Sequence, residues 1–202
     1  MALQKIIISP KSSLYLWNIT ESLTGLLSLL TKSASNEYLR YRSPEHQKQY
    51  LAKKILLQYL SIEDKLSYLD SGKPVLNNNQ HISISHSGNW VVISIASQET
   101  GIDMESANPK LLKIASKFVH PSEKNIFETG KTEDLQFIWT AKESIYKLAG
   151  QKGLSFKNDI ILHQFDRKKK MAYALLHQKK KIKIFFNKIN PNLIISQAFF
   201  DK

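Results

Sequence analysis

Residues 81–96, HISISHSGNWVVISIA, constrain the fold more than any other stretch of the chain. Apolar and polar side chains alternate up to His86, Ser87-Gly88 interrupts the pattern, and a β-branched run then leads toward GIDME at residues 101–105. Period-two patterning on both sides of a turn predicts an antiparallel hairpin. A hairpin alone cannot bury its apolar face, so it needs a covering layer.

The flanking sequence supplies both strands and helices. QKIIIS and SLYLWNIT read as two strands broken at Pro10, and TESLTGLLSLL takes on helical spacing. Ser43, with Pro44 and Glu45 after it, opens an amphipathic helix that continues through YLAKKILLQYL. Ser61 followed by Asp64 suggests a second cap and a short helix. LDSGKPVLNNNQ reads as a loop, because Gly72, Pro74 and three Asn sit poorly inside a regular element. After Asn108-Pro109 come helical pieces, one starting at Pro121. A longer helix runs from about Glu133 to Ala149, with Thr132 as its cap and Gly150 as its stop. DIILHQF, MAYALLH, KIKIFF and LIISQAFF read as four further strands. The expected class is α+β, in two halves (1–100 and 101–202) that each mix helix with antiparallel strand and join near Gln98–Gly101.

Composition narrows the chemistry. With 202 residues and 42% hydrophobic content, the chain can fill a sizeable core. It has no cysteine, which removes disulfides, thiolate nucleophiles and Cys-based zinc sites, and fits a reducing cytoplasm. Its six histidines never fall at the i, i+4 spacing of a helical zinc motif. The longest early apolar runs fall well short of the ~18 residues of a membrane span, so a soluble, untargeted protein without membrane contact is expected. The formal charge of +12 is uneven: residues 1–100 carry 10 Lys and Arg against 7 Asp and Glu, and residues 101–202 carry 19 against 10. Such a field steers an anionic partner without specifying it. The tracts Arg167–Lys170 and Lys179–Lys183 suit solvated hairpin ends. A basic nucleic-acid-binding module is the alternative reading of that charge, although no RNA-binding or helix-turn-helix signature accompanies it.

The pair Asp103 and Glu105 raises a sharper question. On a strand they share one face, their Cα atoms about 7 Å apart, and they repel. Either water at a surface turn disperses that repulsion, or a cation lies between them. The predicted long helix holds WTAKESIYK, in which Trp139, Glu143 and Lys147 recur every fourth residue along one face, with Lys142 and Tyr146 beside it. Alone, Glu143 and Lys147 would fit an exposed ion pair worth ~0.2–0.5 kcal/mol.

SISHSGNW at 83–90, GIDME at 101–105 and WTAKESIYK at 139–147, preceded by Gly72-Lys73-Pro74, together resemble the signature of the 4'-phosphopantetheinyl transferases, in their surfactin-type branch. The blocks span residues 72–155. The resemblance implies two similar α+β halves related by a pseudo-twofold, with coenzyme A at their junction. It also implies transfer of the 4'-phosphopantetheine arm to a serine of an acidic apo carrier protein, with release of adenosine 3',5'-bisphosphate, by a cytoplasmic monomer that binds no nucleic acid. By motif match, Asp103, Glu105 and Glu143 would hold Mg²⁺, and Lys147 would contact the phosphates and stabilise the departing group. Glu143 would additionally activate the carrier serine. Ser85 and His86 would contact the 3'-phosphate, where a plain reading of His86 is a half-buried or solvent-facing side chain. Gly72, Lys73 and Pro74 would lie against the nucleotide. Lys142 either touches phosphate or wets the helix surface. Two departures stand out. The interval from Asp103 to Trp139 is short for the branch. In addition, Lys48, Lys53 and Lys54 stand on the first-half helix where arginines are common, with Arg40 and Arg42 nearby.

Overall fold

The computed structural model describes residues 2–31 and 36–201. Its elements run β1 (Ala2–Ile6), β2 (Ser12–Asn18), α1 (Leu23–Leu29), α2 (Pro44–Tyr59), β3 (Leu66–Tyr68), β4 (Pro74–Leu76), β5 (His81–Ser87), β6 (Trp90–Ala96) and β7 (Gly101–Ser106). There follow α3 (Lys110–Phe118), α4 (Thr132–Ala149), β8 (Ile160–Asp166), β9 (Met171–Leu176), β10 (Lys180–Asn190) and β11 (Leu193–Phe200), with short 3-10 turns between some of them. This mixture of helix with antiparallel sheet is α+β. None of the described helices is long and apolar enough to cross a membrane.

One four-stranded antiparallel sheet, in the order β1-β2-β6-β5, takes its strands from residues 2–96. A five-stranded antiparallel sheet, β7-β11-β10-β9-β8, takes its strands from residues 101–200. The hairpin read from residues 81–96 is present, with Ser87 opposite Trp90 and Gly88 at φ 53 in the turn. Helix α2 covers one face of the first sheet through Leu51, Ala52, Ile55 and Leu56, packed on Trp17, Ile82, Val91 and Ile93. Helix α4 covers the second sheet through Leu135, Ile138, Ala141, Ile145 and Leu148. A third apolar cluster lies between the sheets, where Leu14, Leu16 and Val92 meet Ile102, Met104, Leu193 and Ile195.

Several local expectations change. Ser43 precedes α2 as read, with Pro44 in the first turn, but its side chain makes no capping bond. Ser61 caps no helix; it adopts φ 54 just after α2 and lets the chain reverse. The stretch read as a loop contains the short strand β4, which pairs with β3 just before that stretch, and Gly72 at φ 87 forms part of the reversal between them. Thr132 is the first residue of α4 rather than its cap, and Gly150, left-handed at φ 60, ends the helix as expected.

Candidate active site

The site begins at the meeting of β5 and β7, the facing edges of the two sheets. These strands share no ladder. Instead, the alternating serines of β5 reach across: Ser83, Ser85 and Ser87 accept hydrogen bonds from the backbone N–H groups of Ile102 (2.9 Å), Met104 (3.2 Å) and Ser106 (3.0 Å). Each rung joins residues 19 apart, so β5 and β7 run parallel in one constant register. Hydroxyl oxygens thereby satisfy edge N–H groups that β11, on the far side of β7, does not reach.

Alternation along β7 then sorts its side chains. Ile102 and Met104 enter the apolar cluster between the sheets, while Gly101, Asp103 and Glu105 lie on the face toward α4. A Cβ on Gly101 would fall 1.9 Å from the Ser144 carbonyl oxygen and 2.5 Å from the Leu148 nitrogen, so the helix rests directly on the glycine backbone. Gln136 of α4 donates to the Glu105 carbonyl at 2.6 Å. Ser196, opposite Asp103 on β11, donates to the Thr140 carbonyl at 2.6 Å. The strand and the helix that carry the acids are thus locked at close range.

Asp103 is 6% exposed. Its Oδ1 accepts from Ser85 Oγ (2.8 Å) and from Lys147 Nζ (2.7 Å), whereas Oδ2 is buried without a partner. Lys147 also donates to Ser85 Oγ at 3.0 Å. Burial, followed by the charges of Asp103 and Glu143, pushes the Glu105 carboxyl up to about 7. Burial, followed by the Asp103 charge, likewise pushes Glu143 up to about 7, and Lys147 opposes both shifts. Glu105 and Glu143 therefore both sense the Asp103 charge. Among the described residues, however, no three Asp, Glu or His side chains stand close enough to enclose a metal ion. Asp103 turns one oxygen to Lys147, and like charges repel, so the three are coupled neighbours rather than a closed cage.

Gly72, Lys73 and Pro74 line a cleft of ≈ 170 Å³ together with Ser83, Tyr146 and Lys147, where the loop faces the end of α4. Lys73 does not point a free ammonium into it. Its Nζ donates to the Leu148 carbonyl at 2.7 Å and pairs with Glu99 at 3.5 Å, and its stem lies across Gly150, which has no room for a Cβ there. The lysine binds the loop to the carbonyl end of α4. His86 lies on the other face of β5 from Ser85. It is exposed and lines a second cleft of ≈ 180 Å³ with Tyr41, His46, Gln49, Tyr50 and Lys53. Although His86 keeps an exposed edge, partial desolvation against the cleft walls, then the charges of Lys147 and His46, lower its pKa, and burial lowers that of Lys53. Arg40 and Lys54 both pair with Glu37, at 3.5 and 3.7 Å.

Lys142 departs most from expectation. Neither phosphate contact nor a wetted helix surface describes it, because it is 0% exposed and its ammonium is enclosed by Glu123 Oε1, the Phe118 carbonyl and the Phe156 carbonyl, each at 2.8 Å. Burial lowers its pKa, and Glu123 opposes the shift. Glu123, also 0% exposed, accepts in addition from His120 N and Leu162 N. This buried ion pair ties α4 to β8 and to the turn after α3. Ser85 is likewise drawn to Asp103, where its proton is already engaged. The structural parts of Gly101, Ser83, Ser87 and Glu123 had no distinct signal in the sequence, since each becomes visible only once its neighbour is placed.

The family model described as the 4'-phosphopantetheinyl transferase superfamily matches residues 99–198, which include β7, α4 and all of the acids. A "4'-phosphopantetheinyl transferase" of Bacillus subtilis is 37% identical over 94 residues, covering 44% of this chain and 42% of that protein. "4'-phosphopantetheinyl transferase Sfp" of Bacillus subtilis (strain 168) is 37% identical over 109 residues, 50% of this chain and 48% of the relative. "4'-phosphopantetheinyl transferase gsp" of Aneurinibacillus migulanus is 34% identical over 111 residues, 51% and 46%. The chain thus spans about half the length of the curated relatives it matches. With the matched region carrying the acid-bearing strand and helix described above, the chain belongs to the 4'-phosphopantetheinyl transferase superfamily, alongside relatives of the Sfp and gsp kind.

Proposed function

We propose that this protein transfers the 4'-phosphopantetheine group of coenzyme A to a serine of an apo carrier protein, releasing adenosine 3',5'-bisphosphate, with Mg²⁺ as its metal. The observation that carries this reading is the acid set at the junction: a buried Asp103 oxygen without a partner, beside two carboxylates, Glu105 and Glu143, raised to about 7 by burial and by the Asp103 charge. A hard divalent cation suits such oxygen donors, commonly sharing them with substrate phosphates. Asp103, Glu105 and Glu143 would hold it. When bound, it would supply positive charge to the diphosphate oxygens.

The chain's own residues account for the rest. The cleft bounded by Gly72, Lys73, Pro74, Tyr146 and Lys147 would seat the coenzyme, with the loop shaping the nucleotide side. Lys147, fixed by Asp103 and Ser85, would bring its ammonium to the phosphates and stabilise the charge that develops on the leaving bisphosphate. The second cleft gathers His86, His46 and Lys53 and suits the 3'-phosphate. Glu143, able to bind or release a proton near neutral pH, is the candidate base for the carrier serine. The +12 charge would steer an acidic carrier and speed its encounter. The two sheets, each covered by one long helix, support a pseudo-twofold relation between halves 1–100 and 101–202. A cytoplasmic monomer is the corresponding setting.

The test is mass spectrometry of apo carrier proteins after incubation with this protein, coenzyme A and Mg²⁺. At least one carrier should gain the mass of a phosphopantetheine on its serine. A panel of fatty-acid and peptide carriers that all remain unmodified would overturn the reading.

A further inference from the structure

We infer that Ser85 is a positioning residue for the Asp103–Lys147 pair and not a phosphate contact; this rests on the reading just given. A serine hydroxyl has one proton to donate and two lone pairs to accept with. All three are engaged within the protein: the proton goes to Asp103 Oδ1 at 2.8 Å, and the oxygen accepts from Met104 N at 3.2 Å and Lys147 Nζ at 3.0 Å. The side chain is 4% exposed and lies across the strand from His86, so no donor remains to meet a phosphate.

The consequence is geometric. Ser85 and Lys147 both hold Oδ1 of Asp103, and this determines which oxygen stays unpartnered and turned away from them. It also tethers Lys147 at a point independent of the carboxylate. Ser87 provides a natural comparison, because it makes the same kind of rung to β7 through Ser106 but touches neither Asp103 nor Lys147. Removing either hydroxyl uncaps one edge N–H. Removing Ser85 alone releases the pair.

The experiment compares Ser85→Ala and Ser87→Ala, with Ser85→Cys as a variant that keeps the volume but bonds weakly. The first readout needs no substrate: amine-reactive labelling of the folded protein, with Lys147 followed by peptide mass spectrometry. Ser85→Ala and Ser85→Cys should raise Lys147 labelling roughly 2- to 10-fold, the factor equivalent to one hydrogen bond's net free energy, while Ser87→Ala leaves it unchanged. The second readout is turnover. Loss of a side chain that orients a metal ligand should lower kcat by roughly 10- to 100-fold, to the same extent with coenzyme A and with its 3'-dephospho form. Unchanged Lys147 labelling in both Ser85 variants would overturn the inference. So would a rise in KM for coenzyme A alone that disappears with the 3'-dephospho form, which is the mark of a phosphate contact. Labelling is read without any carrier, so failure of the proposed activity would show separately, as an unmodified carrier with the wild-type protein.

Discussion

Consider Glu143→Gln in the metal-free protein. The Glu143 carboxyl lies at about 7 in the folded state against an ordinary 4.5, because burial and the Asp103 charge disfavour its ionised form. The folded state therefore holds this proton more tightly than the unfolded chain does. The stabilising effect is complete below about 4.5 and is lost as pH rises toward about 7. At about 1.36 kcal/mol for each pH unit, the full displacement amounts to ~3 kcal/mol of destabilisation at pH 8. Glu105 shares the same repulsion, so the gain expected from a neutral amide at position 143 is about 1–3 kcal/mol. For a chain of this size that corresponds to a rise in Tm of roughly 2–10 °C. The assay is thermal unfolding followed by circular dichroism, with a chelator present, at pH 5, 6, 7 and 8. The variant should match the wild type within a few degrees at pH 5 and exceed it progressively up to pH 8. Added Mg²⁺ should narrow the gap at pH 8 by stabilising the wild type. A variant that is less stable than the wild type at pH 8, or a gap that does not change with pH, would refute the argument that these acids repel within one site.

Gly101→Ala should destabilise the protein by at least about 3 kcal/mol, because the added methyl meets backbone atoms of α4 that cannot rotate away; chemical denaturation measures it, and a loss below about 1 kcal/mol would show that helix and strand can separate freely. Lys142→Ala should cost about 3–5 kcal/mol by leaving Glu123 charged and buried, whereas replacing the pair together, Lys142→Met with Glu123→Gln, should recover part of that loss, because the amide removes the charge and keeps an oxygen for the His120 and Leu162 N–H groups. Equal stability of the single and double variants would argue against the pair as drawn. Asp103→Asn should reduce carrier modification by more than about 100-fold while the fold persists, since it removes the charge that holds Lys147 and that the proposed metal would use; a carrier-loading assay with purified variant tests it, and retained turnover would place the chemistry elsewhere.

Legibility in the sequence followed the range of the forces involved. Helix α4 and the β5–β6 hairpin could be read because their signals are local: repeating apolar spacing with Gly150 at the end in one case, two-residue alternation about Gly88 in the other. The faces shared by Asp103 with Glu105 and by Glu143 with Lys147 could be read because strand and helix periodicity give them; the roles assigned to these residues come from the family resemblance. Lys142 could not be read correctly. A lysine in an amphipathic helix reads as surface unless its partner is known, and Glu123 sits in a separate 3-10 turn whose position depends on the tertiary fold. The serines of β5 looked like the polar face of an ordinary strand, and only the parallel approach of β7 gives their hydroxyls a use. The β3–β4 pair was hidden because three-residue strands carry too little pattern to outweigh Gly72, Pro74 and the asparagines.

The placement of β11 has a consequence for the order of assembly. The strand bearing Asp103 and Glu105 finds its ladder partner in residues 193–200, not in any segment made soon after it, and β11 is in turn the bridge from β7 to the rest of the second sheet. Until those residues emerge, β7 has only hydroxyl tethers along one edge, and the acids it presents lack a rigid floor. Long-range pairing of this kind forms slowly. The floor under Asp103 and Glu105 thus depends on a pairing with residues about 90 positions further along the chain, a closure with a large entropic cost.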